Sequence, residues 1–303
     1  MGIIYWLKKK NTVKRIVRTP LLSKIREQVD AVYGRYVFFL SKIGKEEPMN
    51  TGQRCPILLV TIAFNHEGLI KKQIEMVKRY VCNATFQHII IDNSSNKAKR
   101  KAIKTVCNEM GVEYISVPRR ITRLTLNTLF YPSYSHGAAL NWAYYHIIRS
   151  RHPELFVFLD HDIIPIKTYD FIAALGSQDF YGVERTREHG WYLWPGWCVF
   201  RLDSIIDKQV DFSPIYIKHS YLDTGGRNFL TIFYHHKRSD LRFASSETRR
   251  IRKTPTLHTY NDIYHSDCIQ LIDIAWIHIV NGSNYAHIKG KEAMVNQLLE
   301  KIQ

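Results

Sequence analysis

Apolar runs alternate with amphipathic segments through the first part of the chain. Ile57–Ala63 and His88–Ile91 are short, nearly continuous apolar runs, which are typical of strands buried on both faces of a sheet. Leu69–Val81 spaces its apolar residues three and four apart, as an amphipathic helix does. A second helix is predicted over Lys97–Met110 and a short strand near Tyr114–Val117. This alternation predicts an α/β fold with a doubly wound, mostly parallel central sheet.

Polar side chains follow each of the first two predicted strands. Asn65 and Glu67 come after the first strand, and Asp92 and Asn93 come after the second. Ligands of open parallel sheets bind outside the carboxyl ends of the strands. We therefore expect a ligand crevice where these side chains meet.

A third apolar run, Leu155–Leu159, ends in Asp160-His161-Asp162 and is followed by further apolar residues. Side chains that leave a strand alternate in direction, so Asp160 and Asp162 are predicted to face the same way. Two such carboxylates repel each other unless a cation lies between them. Mg²⁺ or Mn²⁺, which accepts carboxylate, water and phosphate oxygens, fits this demand. A turn whose acidic residues face solvent is the alternative interpretation.

The second half of the chain has a less regular pattern. Phe180–Val183 is predicted to be a strand, Phe229–His236 a helix and Lys289–Ile302 a second, amphipathic helix. Gly190–Trp197 holds three tryptophans beside Gly and Pro, and we predict a loop there. Aromatic faces in such a loop can stack on a sugar, although large aromatic rings pack into cores at least as often.

Composition and charge narrow the class of protein. The hydrophobic content of 45% with 13% aromatic residues excludes a disordered chain. The formal net charge of +16 predicts an anionic partner, which is a nucleic acid, an acidic membrane surface or a phosphorylated substrate. Two loops are rich in basic residues, Arg119–Tyr131 and Lys237–Lys253. The five cysteines have no disulfide or zinc spacing, so we expect reduced thiols in a cytosolic chain.

Residues 1–50 are predicted to be a basic, amphipathic helical extension, joined to the main domain by the polar linker Lys45–Gly52. Met1–Glu47 alone carries eleven Lys or Arg against four Asp or Glu. Such helices bind anionic bilayers, and packing on the main domain is the equal alternative. No apolar run reaches the ~20 residues of a spanning helix, and the N-terminus is a poor signal peptide. We expect a cytoplasmic protein, peripheral at the inner face of the cell membrane.

Four motifs occur in a fixed order within Ile57–Ile164: a strand leading into Phe64-Asn65, a strand ending in Asp92-Asn93-Ser94-Ser95, the segment from His136-Gly137 to Leu140-Asn141, and Asp160-His161-Asp162. Together they resemble the family-2 glycosyltransferases of GT-A fold. The resemblance implies a GT-A domain over 54–303, with a Rossmann-like nucleotide-sugar half at 54–165 and an acceptor half at 166–303. It also implies sugar transfer from a nucleotide-sugar donor, with Mg²⁺ or Mn²⁺ and inversion at the anomeric carbon.

The resemblance implies roles for individual residues of the first half. Asp160 and Asp162 match the Asp-x-Asp motif, whose metal offsets charge on the leaving nucleoside diphosphate. The implied donor-binding residues are Thr61, Asn65, Glu67, Asp92, Asn93, His136, Asn141 and Asp160. Many members have a second aspartate where Asn93 stands, which leaves the recognition of uracil open. Capping of a turn or helix is the alternative role for Asp92.

In the second half the resemblance implies a base, an acceptor surface and a late metal ligand. Family order makes Asp223 the general base that takes the proton of the acceptor hydroxyl, with a helix N-cap as the alternative. Trp194 and Trp197 are assigned to the acceptor sugar. His278 matches a late histidine that adds a metal ligand, and a hydrogen-bonded core histidine is the alternative.

The favoured hypothesis is an inverting, metal-dependent glycosyltransferase of polysaccharide biosynthesis, acting on a glycan or lipid-linked glycan at the membrane. The basic charge suggests a nucleic-acid-binding protein as the alternative. The sequence has no helix-turn-helix, zinc-finger or RNA-recognition motif, so we expect no nucleic-acid partner. A GT-A domain with a degenerate catalytic site is the third hypothesis.

Overall fold

The computed structural model describes residues 20–43, 55–126, 132–250, 268–280 and 291–301. The helices are α1 (Pro20–Lys42), α2 (Glu67–Tyr80), α3 (Lys97–Glu109), α4 (Arg119–Leu126), α5 (Pro132–Ala143), α6 (Arg149–Arg151), α7 (Phe171–Leu175), α8 (Leu202–Ile205), α9 (Asn228–Thr231) and α10 (Lys291–Lys301). A π-helical turn, Tyr144–Ile148, joins α5 to α6. None of the helices described in these ranges has the length and apolar character needed to span a bilayer.

The strands form one mixed sheet of six strands, an antiparallel sheet of four and a two-stranded hairpin. They are β1 (Ile57–Ala63), β2 (Phe86–Asp92), β3 (Glu113–Ser116), β4 (Leu155–Asp160), β5 (Ile163–Pro165), β6 (Phe180–Arg187), β7 (Gly190–Arg201), β8 (Ile215–Ile217), β9 (Ser220–Leu222), β10 (Ser246–Arg250), β11 (Cys268–Ile272) and β12 (Trp276–Ile279).

The central sheet has the order β3-β2-β1-β4-β7-β6. β1, β2, β3 and β4 run parallel to one another, and β7 pairs with β4 and β6 with β7 in the antiparallel sense. In this register Ala63 lies beside Asp92 and Ile62 beside Asp160, so the carboxyl ends of β1, β2 and β4 meet at one edge. The predicted α/β fold with a mostly parallel central sheet is confirmed.

Helices cover both faces of this sheet, which explains why its strands read as nearly continuous apolar runs. On one face Val60 and Phe158 pack in a cluster with Ala138 and Tyr144, from α5 and the π-helical turn. On the other face Leu59 packs with Val77 of α2. Each of these side chains is fully buried, so alternate residues of one strand serve opposite cores.

The second sheet has the order β10-β11-β12-β5. β5 begins three residues after β4 ends, and a turn at His161-Asp162 carries the chain from the central sheet into this one. β12 pairs with β5 in the antiparallel sense, with His278 opposite Ile163. A segment from late in the sequence therefore lies against the turn that follows β4.

The part of the predicted N-terminal extension that is described, α1, packs on the main domain. Val37 is buried in the same cluster as the α5 residues. The Tyr134 hydroxyl donates to the Asp30 carboxylate, and His146 Nε2 lies 3.0 Å from the carbonyl oxygen of Ser41. The linker prediction and the rest of 1–50 lie outside the described residues.

Two predicted loops are wrong. Arg119–Leu126 is helical, whereas we predicted a loop over Arg119–Tyr131. Gly190–Trp197 belongs to β7, and its Gly and Pro mark a bulge: the pairing of β6 with β7 shifts register between Gly182 and Glu184, opposite the stretch that contains Pro195. Proline lacks the N–H of a regular ladder, so a bulge accommodates it.

Two further predictions concern the basic loop and the cysteines. The predicted basic loop Lys237–Lys253 contains strand β10, which pairs with β11. No disulfide joins any of the five cysteines, all of which lie in the described residues.

Candidate functional site

Hydrogen bonds join the loops that follow β1 and β2 into one rim. Asn65 N–H donates to Ser94 Oγ at 2.7 Å, and Asn65 Oδ1 accepts from Asn96 N–H at 3.1 Å. Asn65 has a φ of 54°, a left-handed conformation that asparagine tolerates better than most residues. Glu67 lies on the same rim and pairs with Lys99 at 2.8 Å. Asn65 and Glu67 are therefore partly exposed at the predicted crevice.

His136 and Asp160 form an ion pair within the crevice, with His136 Nε2 3.0 Å from Asp160 Oδ1. Burial alone would lower the pKa of His136, but the charges of Asp160, Asp223 and Asp162 outweigh burial and raise the pKa. Burial would likewise raise the pKa of Asp160, but the His136 charge and hydrogen bond bring it below its ordinary value. The protonated imidazole and the carboxylate therefore favour each other's charged form.

Gly137 lets helix α5 pack closely enough on the neighbouring backbone to bring His136 to Asp160. A Cβ at residue 137 would lie 2.8 Å from the carbonyl oxygen of Phe212 and 3.0 Å from the Cα of Ser213. Only glycine therefore lets the helix approach this backbone without a shift. The close approach places the neighbouring His136 against Asp160.

His278 lies on the other side of the turn, with Nε2 3.8 Å from Asp162 Oδ1. The backbone fixes this juxtaposition, because Ile279 N–H donates to the Asp162 carbonyl oxygen at 2.9 Å. Gln270 Oε1 lies 3.1 Å from His278 Nδ1 and also accepts from Arg185. An amide oxygen only accepts, so Nδ1 carries the proton of the neutral ring and Nε2 is the basic nitrogen near Asp162.

The Asp162–His278 pair is close to the spacing of two ligands on one hard divalent ion. In octahedral coordination at ~2.1 Å, two adjacent ligands lie about 3.0 Å apart and two opposite ligands about 4.2 Å apart. The 3.8 Å between Asp162 Oδ1 and His278 Nε2 falls between these values, so a small side-chain shift would bring both atoms onto one ion. Within the described ranges, no three or more His, Cys, Asp and Glu side chains are grouped so that they could hold a metal ion. An ion at Asp162 and His278 would need its remaining ligands from water or substrate, as Mg²⁺ commonly does.

Gln73 of α2 holds the turn between the two carboxylates, a role that the sequence analysis missed. Its amide nitrogen donates to the carbonyl oxygens of Asp160 at 2.8 Å and Ile163 at 2.7 Å. Its amide oxygen accepts from Thr61 Oγ1 at 2.7 Å. Gln73 is fully buried on the apolar face of α2, and a polar residue at a buried helix position requires such partners. A polar residue on the apolar face of a predicted helix was therefore the sequence signal that could have revealed Gln73.

Several predicted donor-binding residues instead hold the crevice together. Thr61, Asp92 and Asn141 have no exposed surface and Asn93 has 3%. Their polar atoms have partners: Thr61 bonds Gln73, Asp92 accepts from Tyr114 and Ser94, Asn93 donates to Ser135, and Asn141 donates to Asp211 and accepts from Phe212 N–H. These buried side chains therefore hold the walls of the crevice in place, and their direct contact with a donor stays a prediction.

The two predicted acceptor tryptophans have different surroundings. Trp194 is partly exposed, its ring centre is 4.7 Å from that of His278, and the Arg185 guanidinium lies 5.2 Å from the ring. Trp197 has no exposed surface and packs between Tyr169, Phe171 and Trp276. Trp197 is therefore part of the core in this structure, whereas Trp194 borders His278, and their contact with an acceptor stays a prediction.

Asp223 is exposed and lies in a turn after β9. Its Oδ1 accepts from Thr224 N–H at 2.7 Å, and its carbonyl oxygen accepts from Gly226 N–H at 2.7 Å. The N-cap of α9 is Arg227, so Asp223 is not the cap of that helix. The charge of Asp223 is one of three carboxylate charges that raise the pKa of His136, so Asp223 lies within electrostatic range of that ring.

Comparisons with known proteins give structural similarity only. No protein-family profile matches the sequence, and no curated protein matches it. The solved structures it is similar to include the mannosyltransferase PcManGT from Pyrobaculum calidifontis in complex with GDP-Man and Mn²⁺, at 12% identity and a TM-score of 0.34. That match covers 59% of this chain and 54% of that chain.

Two further matches are glycosyl-transferring enzymes. The galactosyltransferase LgtC, in complex with donor and acceptor sugar analogues, is 15% identical with a TM-score of 0.35, over 48% of this chain and 58% of that one. The glucosyl-3-phosphoglycerate synthase from Mycobacterium tuberculosis is 14% identical with a TM-score of 0.33, over 55% of this chain and 63% of that one. The chain thus spans less than two thirds of each relative, and similarities below a TM-score of 0.5 carry no argument about its activity.

Proposed function

We propose that this chain is an inverting glycosyltransferase that moves a sugar from a nucleotide-sugar donor to a hydroxyl of a glycan or lipid-linked glycan. The observation that carries the proposal is the proximity of Asp162 and His278, 3.8 Å apart, at the turn that follows Asp160 where β4 leaves the central sheet. This turn lies at the carboxyl edge of a mostly parallel sheet, where such folds bind their ligands.

Asp162 and His278 would hold Mg²⁺ or Mn²⁺, with Asp160 beside them. The ion would supply Lewis-acid stabilisation of charge on the leaving nucleoside diphosphate. Asp160 Oδ1 lies 3.0 Å from His136 Nε2, and the surrounding carboxylates raise the pKa of His136, so the crevice favours a positive charge on this ring. Asn65 and Glu67, which are partly exposed on the rim, are the residues that we propose to contact the donor.

Asp223 is the proposed general base. In a single displacement the acceptor oxygen forms a bond to the anomeric carbon while the bond from that carbon to the diphosphate breaks. The proton of the acceptor hydroxyl passes to a carboxylate on the acceptor side. Asp223 is exposed to an incoming acceptor and lies in electrostatic range of His136. Trp194 offers a partly exposed aromatic face for the acceptor sugar.

The test is a donor screen that measures nucleoside diphosphate release from UDP-, GDP- and dTDP-sugars with Mg²⁺ or Mn²⁺. We expect release with one donor class, loss of release in EDTA, and loss in Asp162→Asn. Asp207→Asn is the matched control, because Asp207 is exposed and lies away from the crevice.

Thermal unfolding of both variants checks that the fold is intact. Full activity in EDTA would contradict the metal assignment. Donor binding without release, for all three donor classes, would instead indicate a degenerate site.

A further inference from the structure

The outward side of α1 carries a continuous row of exposed apolar side chains. The row consists of Ile25, Val29, Val32, Tyr36, Phe39 and, one residue after the helix, Ile43, and their exposed fractions run from 40% to 69%. Successive members are four and three residues apart, which keeps all of them on one side of the helix. The apolar row is about 27 Å long at the rise of an α-helix. The opposite side is buried against the protein, at Asp30, Val37 and Ser41.

The charges of α1 are divided between these two sides. The exposed side chains Lys24, Arg35 and Lys42 flank the apolar row. The two acidic residues of α1 are turned toward the protein, since Asp30 is 2% exposed and accepts from Tyr134, and Glu27 accepts from His219 N–H. The outward side of α1 therefore combines apolar and basic groups, with no exposed acid among its described side chains.

A cleft at the C-terminal end of α1 extends this positive flank. The cleft has a volume of about 460 Å³, and its lining includes Lys42, Arg149, Lys208 and one acid, Asp207. Lys42 Nζ lies 4.6 Å and the Arg149 guanidinium 5.7 Å from the centre of the Tyr145 ring. Basic groups from three separate segments thus converge beside the end of the apolar row.

We propose that the outward side of α1 binds an anionic lipid bilayer, with the helix parallel to the membrane plane. The apolar row enters the boundary between headgroups and acyl chains, where aromatic side chains such as Tyr36 and Phe39 are favoured. Lys24, Arg35 and Lys42 then lie at the level of the anionic headgroups. This binding is independent of the proposed glycosyl transfer, because no residue of the apolar row belongs to the proposed site.

The charge pattern favours a bilayer over a second copy of the chain. Spacings of four and three residues also occur in paired helices, which place opposite charges beside the apolar seam. A second copy of α1 would bring Lys24, Arg35 and Lys42 toward like charges, because the acids that could balance them face inward. An anionic surface balances these charges without any change in the protein.

The test is flotation of the full chain with two kinds of vesicle, phosphatidylcholine mixed with phosphatidylglycerol and phosphatidylcholine alone. We expect binding to the mixed vesicles, weaker binding to the neutral ones, and release at salt of about 0.5 M. The double substitution Val32→Ser with Phe39→Ser should lower the partition coefficient by about tenfold or more. Leu230→Ser with Tyr234→Ser is the matched control, because both side chains are exposed and lie off α1.

Circular dichroism and thermal unfolding show whether each variant is folded. Equal partition of the α1 variant and the wild type would overturn the proposal. So would a wild-type dimer that becomes monomeric in the α1 variant and binds neither vesicle, because a second copy would then cover the apolar row. Neither outcome bears on nucleoside diphosphate release, so the membrane proposal and the proposed activity are tested separately.

Discussion

The side-chain amide of Gln73 donates a hydrogen bond of 2.8 Å to the carbonyl oxygen of Asp160. The two residues belong to different elements, helix α2 and strand β4, and this bond fastens the carboxylate turn to the helix. Replacing Gln73 by Met keeps the volume and removes the amide. Buried polar groups then lose their partner, at a cost of about 1–3 kcal/mol each.

We expect Gln73→Met to lower the melting temperature and to weaken Mn²⁺ binding by about 10–100-fold, as loss of a supporting residue does in metal sites. Calorimetric titration with Mn²⁺ and thermal unfolding measure the two effects. Gln209→Met, at an exposed position, is the control. Unchanged Mn²⁺ affinity in a destabilised Gln73 variant would restrict this residue to a role in folding.

Asp223→Asn tests the general base. The substitution keeps the shape and one hydrogen-bond acceptor but removes the charge that takes up the proton. We expect turnover to fall by about 10²–10⁴-fold while nucleoside diphosphate binding is unchanged. Steady-state kinetics and equilibrium binding on the same preparation separate the two quantities.

Asp203→Asn is the control, since Asp203 is exposed on α8. Near-normal turnover of the Asp223 variant would move the base elsewhere. Glu184 and Glu188 are the next candidates, and Glu184 is already paired with Arg238.

His66 makes the stability of the protein depend on pH. Its Nδ1 accepts from Leu69 N–H at the start of α2, which requires the neutral ring, and burial lowers its pKa to about 4. The unfolded state therefore binds more protons between about pH 6.5 and 4, so this contribution is lost as pH falls through that window. Asparagine caps helices without titrating.

We expect His66→Asn to lose less stability than the wild type as the pH falls from 7 to 5. Over the whole window from pH 6.5 to 4, the difference in the free energy of unfolding should reach up to about 3 kcal/mol. Denaturant unfolding at several pH values measures it. His235→Asn, at an exposed position, should follow the wild type. Parallel pH profiles for His66→Asn and the wild type would show that the ring does not need to be neutral.

The hairpin between β11 and β12 contains a strained residue. Asp273 and Ile274 have φ angles of 47° and 56°, and Ala275 N–H bonds the Ile272 carbonyl oxygen. Type I′ turns favour glycine at the second central position, whereas Ile274 is β-branched and 60% exposed. We expect Ile274→Gly to raise the free energy of unfolding by about 1 kcal/mol.

Asp273→Gly is the informative contrast in the same turn. The Asp273 carboxylate accepts from the hydroxyls of Tyr169 and Tyr181 and from Ser245 N–H. Although Asp273 also has a positive φ, removal of its carboxylate should destabilise the protein. Thermal unfolding compares the stability of Ile274→Gly and Asp273→Gly, and stabilisation by Asp273→Gly would contradict the importance of these bonds.

The sequence predicts the central sheet well and the contacts of its crevice only in part. Apolar runs reveal β1, β2 and β4 because burial on both faces imposes them, and polar residues then mark the sheet edge. The polarity of Thr61 and Asn141 does not reveal whether their partner is a ligand or another side chain. Both turn out to bond within the protein.

The other features that the sequence did not predict depend on the pairing of segments that are far apart in the sequence. Gly and Pro near Trp197 predict a loop, but they accommodate a bulge between β6 and β7, which depends on strand pairing that local composition does not encode. The distance from His278 to Asp162 likewise depends on the register of β12 with β5. Gln73 was the one residue that the helical pattern could have revealed, as a polar residue on a buried face.

Strand β5 follows β4 directly in the sequence but hydrogen-bonds β12, a strand from late in the described residues. During synthesis the N-terminal part emerges first, so the central sheet can form while β5 still has an unpaired edge. Asp162 acquires its histidine only once β12 has been made and has docked. Assembly of the carboxylate–histidine pair is therefore a late event in biogenesis, because a nascent chain that stops before β12 lacks His278.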